Sequence, residues 1–138
     1  MTYRPLEQAF PVGELKLAAL NSAKDLGEKI NQHLVKTRKN YEKKQYKGIF
    51  VDYYGKDNYL LNFSTPRFGS GEGKGILKES VRGTDLFILV DPINAANLYK
   101  INNEDTFTSP DDNFQELKRV IAACSGKPTR INLIMPFL

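Results

Sequence analysis

A run of five consecutive apolar residues, Leu86 to Val90, places the tightest constraint on the fold of this chain. A strand with one face in water alternates apolar and polar residues, whereas a parallel strand covered on both faces is apolar throughout. A second near-continuous apolar stretch closes the sequence in RINLIMPFL, residues 130–138. The two runs predict an α/β fold with a mainly parallel sheet that is flanked by helices.

The sequence before the first apolar run predicts a strand followed by a helix. ELKLAAL, residues 14–20, has the apolar content of a short strand. Leu26, Ile30 and Leu34 then recur every four residues, which predicts a helix with one apolar face. Ser22 stands just before this pattern, and we expect its hydroxyl to cap the helix.

A second helix is predicted between the two apolar runs, in SPDDNFQELKRVIAACSGK, residues 109–127. Ser109 is suited to the N-cap, Pro110 to the first helical position, and Gly126 to a left-handed stop. Spacing predicts a buried face made of Phe114, Leu117, Val120, Ile121 and Cys124.

The 138 residues have the length of one domain, and we predict a single domain over residues 1–138. Two stretches of it stand apart. Residues 36–63 form a basic and aromatic insertion, in which residues 45–63 predict a β-hairpin around a turn at 55–58. Residues 93–108 show no periodicity and predict a long loop.

Charge and cysteine usage narrow the function classes. The net charge is +4, and much of the excess lies between Lys36 and Lys47, where Tyr41 and Tyr46 could stack on bases of single-stranded nucleic acid. We prefer a solvated helix end, because no recognisable nucleic-acid module surrounds the segment. The single Cys124 is expected in the core, which fits a reducing cytoplasm, and no apolar run is long enough to span a membrane.

The glycine-rich stretch FGSGEGKGILKESVRG, residues 68–83, fails the tests for a general phosphate loop. A Walker A motif requires Ser or Thr after Gly-Lys, but Gly73-Lys74 is followed by Gly75. A dinucleotide-binding fingerprint has a third glycine where this sequence has Lys74, and the fingerprint is followed by a helix. Here strand residues follow instead, so the stretch predicts another use.

The same stretch, read as RFGSGE and KESVRGTDLFIL and followed by DDNFQELKRVIAACSGKPTRINLIMP, resembles the N-terminal half of ribose-phosphate pyrophosphokinase, PRPP synthetase. The resemblance covers most of residues 15–138. Segments 36–63 and 93–108 fit less well and indicate a longer-chain branch of the family. The resemblance implies an incomplete phosphoribosyltransferase-like N-terminal domain with a protruding β-hairpin, in a cytoplasmic homo-oligomer.

Site residues follow from the resemblance position by position. In the family, the hairpin loop contacts the adenine of ATP that a neighbouring subunit mainly holds, which implies Phe68, Ser70 and Glu72 here. Ser70 stands where the family has Asp or Asn. Ser80 and Arg82 correspond to residues of a phosphate and ADP effector site. The alternative is that Arg82 only pairs with a nearby carboxylate, either Glu79 or Asp85.

The family moves the β,γ-pyrophosphoryl group of Mg²⁺-ATP onto ribose 5-phosphate. Its catalytic, metal-binding and ribose 5-phosphate segments have no counterpart in the 138 residues, so the resemblance assigns this chain no catalytic residue and no metal ligand. We therefore expect a truncated chain that is inactive alone, holds no cofactor tightly, and self-associates through open sheet edges. The alternatives are a non-catalytic nucleotide-binding or regulatory module and a basic nucleic-acid-binding domain.

Overall fold

The computed structural model describes residues 11–45 and 55–136, apart from the side chains of 41–45. Nine helices and strands and one short 3₁₀ turn make up this part of the chain. In chain order they are β1 (Glu14–Ala19), the 3₁₀ turn (Asn21–Ala23), α1 (Lys24–Gln45), β2 (Phe63–Ser64), β3 (Ile76–Leu77), β4 (Thr84–Leu89), β5 (Leu98–Ile101), β6 (Glu104–Phe107), α2 (Pro110–Cys124) and β7 (Arg130–Ile134).

Three parallel strands in the order β1-β4-β7 form the sheet. β4 lies in the middle, with Thr84 beside Glu14 on one side and Asp85 beside Arg130 on the other. The long connections between these strands carry α1 and α2, as parallel pairing requires. The α/β architecture predicted from the two apolar runs is therefore confirmed.

β4 is buried on both faces because its alternate residues enter two separate apolar clusters. Leu86 and Ile88 pack with Leu117, Val120 and other residues on the α2 side. Leu89 packs on the opposite face with Leu17 and Ala23, and Phe87 and Ile30 lie against that cluster. An unbroken apolar run is what such a strand needs, since every side chain meets an apolar layer.

The start of α1 differs from the prediction. Ser22 is buried within the 3₁₀ turn, and no side chain caps that turn. Its hydroxyl accepts from the backbone N–H of Asp91 at 3.2 Å, and its carbonyl accepts from the Asn94 amide at 2.8 Å. The predicted N-cap role is therefore wrong, because tertiary contacts at the carboxyl end of β4 use both oxygens.

The sheet-facing side of α1 is also rotated from the predicted stripe. Leu26 is 38% exposed. Gly27 lies against β1 instead, where an added Cβ would come within 2.2 Å of the Ala19 Cβ. A helix and a strand this close leave no room for a side chain at position 27.

α2 begins as the sequence predicts. The Ser109 hydroxyl accepts from the Asp112 N–H while the Asp112 carboxylate accepts from the Ser109 N–H, which is a reciprocal capping box. The helix ends in left-handed conformations at Ser125 and Gly126. Cys124 is fully buried, and burial raises the pKa of its thiol, so the predicted core role is confirmed. Phe114 is 44% exposed, which corrects its predicted burial.

The loop predicted over residues 93–108 is wrong, because β5 and β6 form an antiparallel hairpin there. Asn102 and Asn103 occupy its turn with positive φ values of 51° and 69°. These are the two-residue turn conformations that hairpins favour, and asparagine tolerates them. The sequence of this segment shows no apolar periodicity because both strands carry exposed residues.

The first half of the hairpin predicted over 45–63, residues 46–54, lies outside the described residues. The part that is described runs beside β1. The Leu17 N–H donates to the Tyr59 carbonyl and the Leu61 N–H donates to the Leu17 carbonyl, each at 2.8 Å. Leu60 forms a parallel bridge with Leu17, so this segment extends the edge of the sheet.

Exposed apolar side chains lie at the opposite edge, on β7. Leu133 is 46% and Ile134 36% exposed. Both are compatible with the expected self-association, which stays a prediction. In the part of the chain that the structure describes, no helix has the length and apolar character of a membrane span.

β4 and β7 are also joined by a polar cluster around Asp85. The Asp85 carboxylate accepts from Arg130 Nε at 2.8 Å, from Arg130 Nη2 at 2.6 Å and from the Asn132 amide at 2.9 Å. Hydrogen bonds from Arg130 hold the pKa of Asp85 below its usual value of 3.8, with Asn132 adding to the effect. The folded state therefore favours the ionised carboxylate.

Asp85→Asn is expected to lower the free energy of unfolding by about 1–2 kcal/mol at pH 7, through the loss of charge-assisted hydrogen bonds. Because the pKa of Asp85 is lowered on folding, its contribution is present above the unfolded-state pKa and is lost as the pH falls through the folded-state pKa. The difference between wild type and variant in urea unfolding should therefore shrink below pH 3.8. Asp105→Asn removes the exposed partner of Lys100 and serves as control. A difference that stays constant with pH would contradict the assignment.

Candidate functional site

The glycine-rich stretch forms the hairpin that the resemblance implies. Phe63 pairs with Leu77 and Ser64 with Ile76, and a further bridge joins Arg67 to Gly73. We call residues 63–77 the ligand hairpin, after the contact that the resemblance implies, and residues 68–72 its tip. The sequence after Pro66 is thus a turn between two short strands, as its failure to match any phosphate-loop pattern indicates.

Two backbone hydrogen bonds define the tip. The Phe68 N–H donates to the Glu72 carbonyl and the Gly71 N–H donates to the Phe68 carbonyl, each at 2.8 Å. Gly71 has a φ of 87°, which side-chain-bearing residues adopt at a cost. A turn followed by a left-handed glycine is a common way to close a hairpin, and it sets the direction in which the tip points.

The structure brings together the three residues expected to contact adenine. Phe68, Ser70 and Glu72 are all exposed at the tip, and the Phe68 side chain is exposed for half of its area. The Glu72 N–H lies 3.5 Å from the Ser70 hydroxyl, at the limit of a hydrogen bond. One aromatic ring, one hydroxyl and one carboxylate are therefore exposed within the five residues of the tip.

Arg67 anchors the tip to the rest of the protein. Its Nη1 donates to the Gly71 carbonyl at 3.1 Å and to the Asp112 carboxylate at 3.2 Å. The guanidinium lies over the Tyr99 ring, with 4.5 Å from its carbon to the ring centroid. Its side chain is only 7% exposed. One arginine thus connects the tip to the start of α2 and to the β5–β6 hairpin.

Asp112 has a double role in this arrangement. The backbone hydrogen bond from Ser109 is the largest cause that holds the pKa of Asp112 below its usual value, and the charge of Arg67 adds to it. The same carboxylate completes the cap of α2 and pairs with Arg67. The sequence around Ser109 predicts the cap of α2 correctly, but it contains no indication that Asp112 pairs with Arg67.

The two expected effector residues lie together in the segment before β4. The Arg82 N–H donates to the Ser80 hydroxyl at 3.2 Å, and the Arg82 side chain is exposed. Neither carboxylate of the alternative pairs with Arg82. Glu79 accepts from Lys16 and from the Asn62 N–H, each at 2.6 Å, and Asp85 accepts from Arg130. No ion pair to Arg82 is found within residues 11–45 and 55–136, so its guanidinium faces solvent.

A cavity of about 450 Å³ opens where the ligand hairpin meets the carboxyl end of β1. Asn21 and Thr65 line it and are joined by a hydrogen bond of 2.9 Å, and Lys24, Glu28 and Phe63 complete much of its wall. Ligand sites of parallel sheets begin at this edge. Sequence reasoning missed the cavity, because its walls come from two segments, 19–28 and 60–66, that only the fold brings together.

Two basic residues of the segment have partners within the chain. Arg38 lies over the Tyr59 ring and Lys39 pairs with Asp57. Lys36 is exposed. Residues 46 and 47 lie outside the described residues, as do the side chains of 41–45. The contacts of Arg38 and Lys39 agree with a structural role at the helix end, and the nucleic-acid alternative stays a prediction.

Arg67→Met is expected to loosen the tip and to lower the free energy of unfolding by about 1–3 kcal/mol, because it removes a buried charge-assisted contact from Gly71 and Asp112. Amide hydrogen exchange at Phe68 and Gly71 should become faster. Lys74→Met, at an exposed position of the same hairpin, should leave both measurements unchanged. Unchanged exchange at Phe68 and Gly71 in Arg67→Met would show that the arginine does not hold the tip.

Comparison with protein families places the chain. The model of the N-terminal domain of ribose phosphate pyrophosphokinase matches residues 15–138. No curated protein and no solved structure gives a significant match. The family match spans the parallel sheet, both helices and the ligand hairpin, and it agrees with the resemblance that the RFGSGE and ESVRG motifs carry. The chain therefore belongs to the family of the N-terminal domain of ribose phosphate pyrophosphokinase.

Proposed function

We propose that this chain is the nucleotide-contacting front part of a ribose-phosphate diphosphokinase. In this reaction the anomeric oxygen of ribose 5-phosphate bonds to the β-phosphorus of ATP. The bond from that phosphorus to the α,β-bridging oxygen breaks, and AMP leaves. The single observation that carries the proposal is the exposed grouping of Phe68, Ser70 and Glu72 at the tip of a hairpin that Arg67 anchors.

The tip is suited to an adenine ring. The Phe68 face can stack on the base, and base–aromatic stacking contributes about 1–3 kcal/mol. The Glu72 carboxylate can accept from the exocyclic amine. Ser70 offers a shorter, uncharged group where the family has Asp or Asn, so we expect it to contribute less to adenine recognition. Because the tip residues are exposed, the adenine is proposed to be held mainly by a neighbouring copy of the chain in a homo-oligomer.

We assign neither Mg²⁺ nor ribose 5-phosphate to residues of this chain. In the described segments, no group of three or more His, Cys, Asp or Glu side chains could hold a metal ion. We propose that Mg²⁺ enters with ATP as cosubstrate and that this chain supplies no metal ligand. Ser80 and Arg82 are proposed to take an effector phosphate, since the Arg82 guanidinium is exposed and arginine forms strong charge-assisted bonds to phosphate oxygens.

Phe68→Ala is expected to weaken ATP binding by about 5- to 150-fold, the equivalent of the stacking energy. The measurement is isothermal titration of the 138-residue chain with ATP at a concentration at which the chain is oligomeric. Phe107→Ala removes a phenylalanine that is 72% exposed on the β5–β6 hairpin, and it should leave ATP binding unchanged. Equal affinities for wild type and Phe68→Ala would remove the tip from the nucleotide site.

The activity itself is tested on the protein in its native cells. An antibody raised against the 138-residue chain should precipitate material that forms PRPP and AMP from Mg²⁺-ATP and ribose 5-phosphate. Antibody that has first been saturated with the recombinant chain should precipitate no such activity. A precipitate that binds ATP but forms no PRPP would favour the non-catalytic nucleotide-binding module.

A further inference from the structure

At the contact between the ligand hairpin and α2, two arginines each have a buried side-chain nitrogen that donates no hydrogen bond. Among the described residues, Arg67 Nη2 and Arg119 Nη1 are the buried side-chain atoms that lack a hydrogen-bond partner. Arg67 comes from the hairpin and Arg119 from α2. A buried charged donor without an acceptor costs more than an ordinary lost hydrogen bond, so such atoms usually indicate a missing partner.

The two side chains meet at Gly73. A Cβ placed on Gly73 would lie 2.6 Å from Arg119 Nη1 and 3.2 Å from Arg67 Cδ. Gly75 approaches the same helix, where an added Cβ would lie 2.6 Å from the Arg119 carbonyl oxygen. The glycines of the hairpin therefore let its backbone lie directly over α2 and leave the space at Gly73 to the Arg119 guanidinium and the Arg67 side-chain stem.

Charge at this place is not balanced. Arg67 and Arg119 contribute two positive charges, and Asp112 contributes one negative charge that Ser109 and Arg67 already use. The structure shows no ion pair or hydrogen bond to the Arg119 guanidinium from residues 11–45 or 55–136. Arg119 is only half-buried, but its Nη1 is covered and has no acceptor, and a bound anion would supply one.

We propose that Arg67 and Arg119 form a binding site for a phosphate-class oxyanion beneath the ligand hairpin. A phosphate group offers several oxygens and up to two negative charges, and arginine forks bind such oxygens in pairs. Inorganic phosphate and the phosphate group of a sugar or nucleotide share this chemistry. The site lies apart from Ser80 and Arg82, and the inference does not depend on the proposed function.

Entry of the anion requires movement of the hairpin, since both donor atoms are covered. The hairpin is held by two-residue strands and one further bridge, and short ladders of this kind open more easily than a core strand. A bound anion would close the hairpin again over both arginines. The site would thereby control the order of the tip that carries Phe68 and Glu72.

The test is thermal unfolding of the 138-residue chain in phosphate, with sodium chloride of equal ionic strength as reference. Wild type should gain about 5–10 °C in melting temperature once phosphate reaches roughly a hundredfold excess over its Kd. Arg119→Met removes the guanidinium and keeps an apolar stem of similar size. It should unfold in chloride at or above the wild-type temperature, because it removes a buried donor that has no acceptor, and it should lose the phosphate gain.

Lys78→Met is the matched control, since it removes an exposed cation outside both expected phosphate sites. It should keep the phosphate gain. The comparison is repeated in an Arg82→Met background, so that the other expected phosphate site does not contribute. Titrations with ribose 5-phosphate and ADP then show whether a free or an esterified phosphate binds, and either result with dependence on Arg119 supports the site. Should Arg119→Met not fold, Arg119→Lys should bind phosphate at least tenfold more weakly than wild type.

The proposal is overturned if wild type gains no more in phosphate than in chloride. It is equally overturned if Arg119→Met keeps the full gain in the Arg82→Met background, or if Lys78→Met abolishes it.

Discussion

Burial of β4 on both faces is the constraint on which the rest of this structure depends. Its alternate residues belong to two apolar clusters, one on the α2 side and one on the α1 side. A helix must therefore cover each face, and parallel neighbours must lie on each edge. With α2 held in this way, its first turn becomes a fixed support, and the ligand hairpin rests on it through Arg67 and Asp112.

This dependence links helix capping to the candidate site. The single carboxylate of Asp112 makes both the cap of α2 and the ion pair with Arg67. The geometry of the tip is then set by the start of a helix that the core already fixes. The tip of a short hairpin acquires in this way some of the rigidity of the sheet, as the proposed contact with a ligand in a defined orientation requires.

Local chemistry decided which features could be predicted from the sequence. The apolar run of β4 and the capping signals before α2 depend on neighbouring residues, and both were predicted correctly. Ser22 carried an equally good capping signal, but distant partners at Asp91 and Asn94 use its oxygens. The hairpin at 98–107 was missed because both its strands are largely exposed and so leave no apolar pattern.

The candidate site divides in the same way. Family resemblance predicted the tip residues, because they lie together in one short motif, and the structure places them together while their role stays a prediction. The support beneath them could not be predicted, since Arg67, Tyr99, Asp112 and Arg119 come from three separate segments. Gly73 and Gly75 have a steric reason that only the packing on α2 makes visible.

Residues 59–61 occupy the outer edge of β1 and distinguish it from the edge at β7. Leu17 has both its backbone N–H and its carbonyl bonded to residues 59–61, so the centre of β1 has no hydrogen-bonding groups left on its outer side. In the described residues no strand lies beyond β7. Further strands, from this chain or from another copy, would therefore add to the sheet beside β7, where Leu133 and Ile134 are exposed. The sheet would therefore be extended on one side only, away from α1 and the start of the chain.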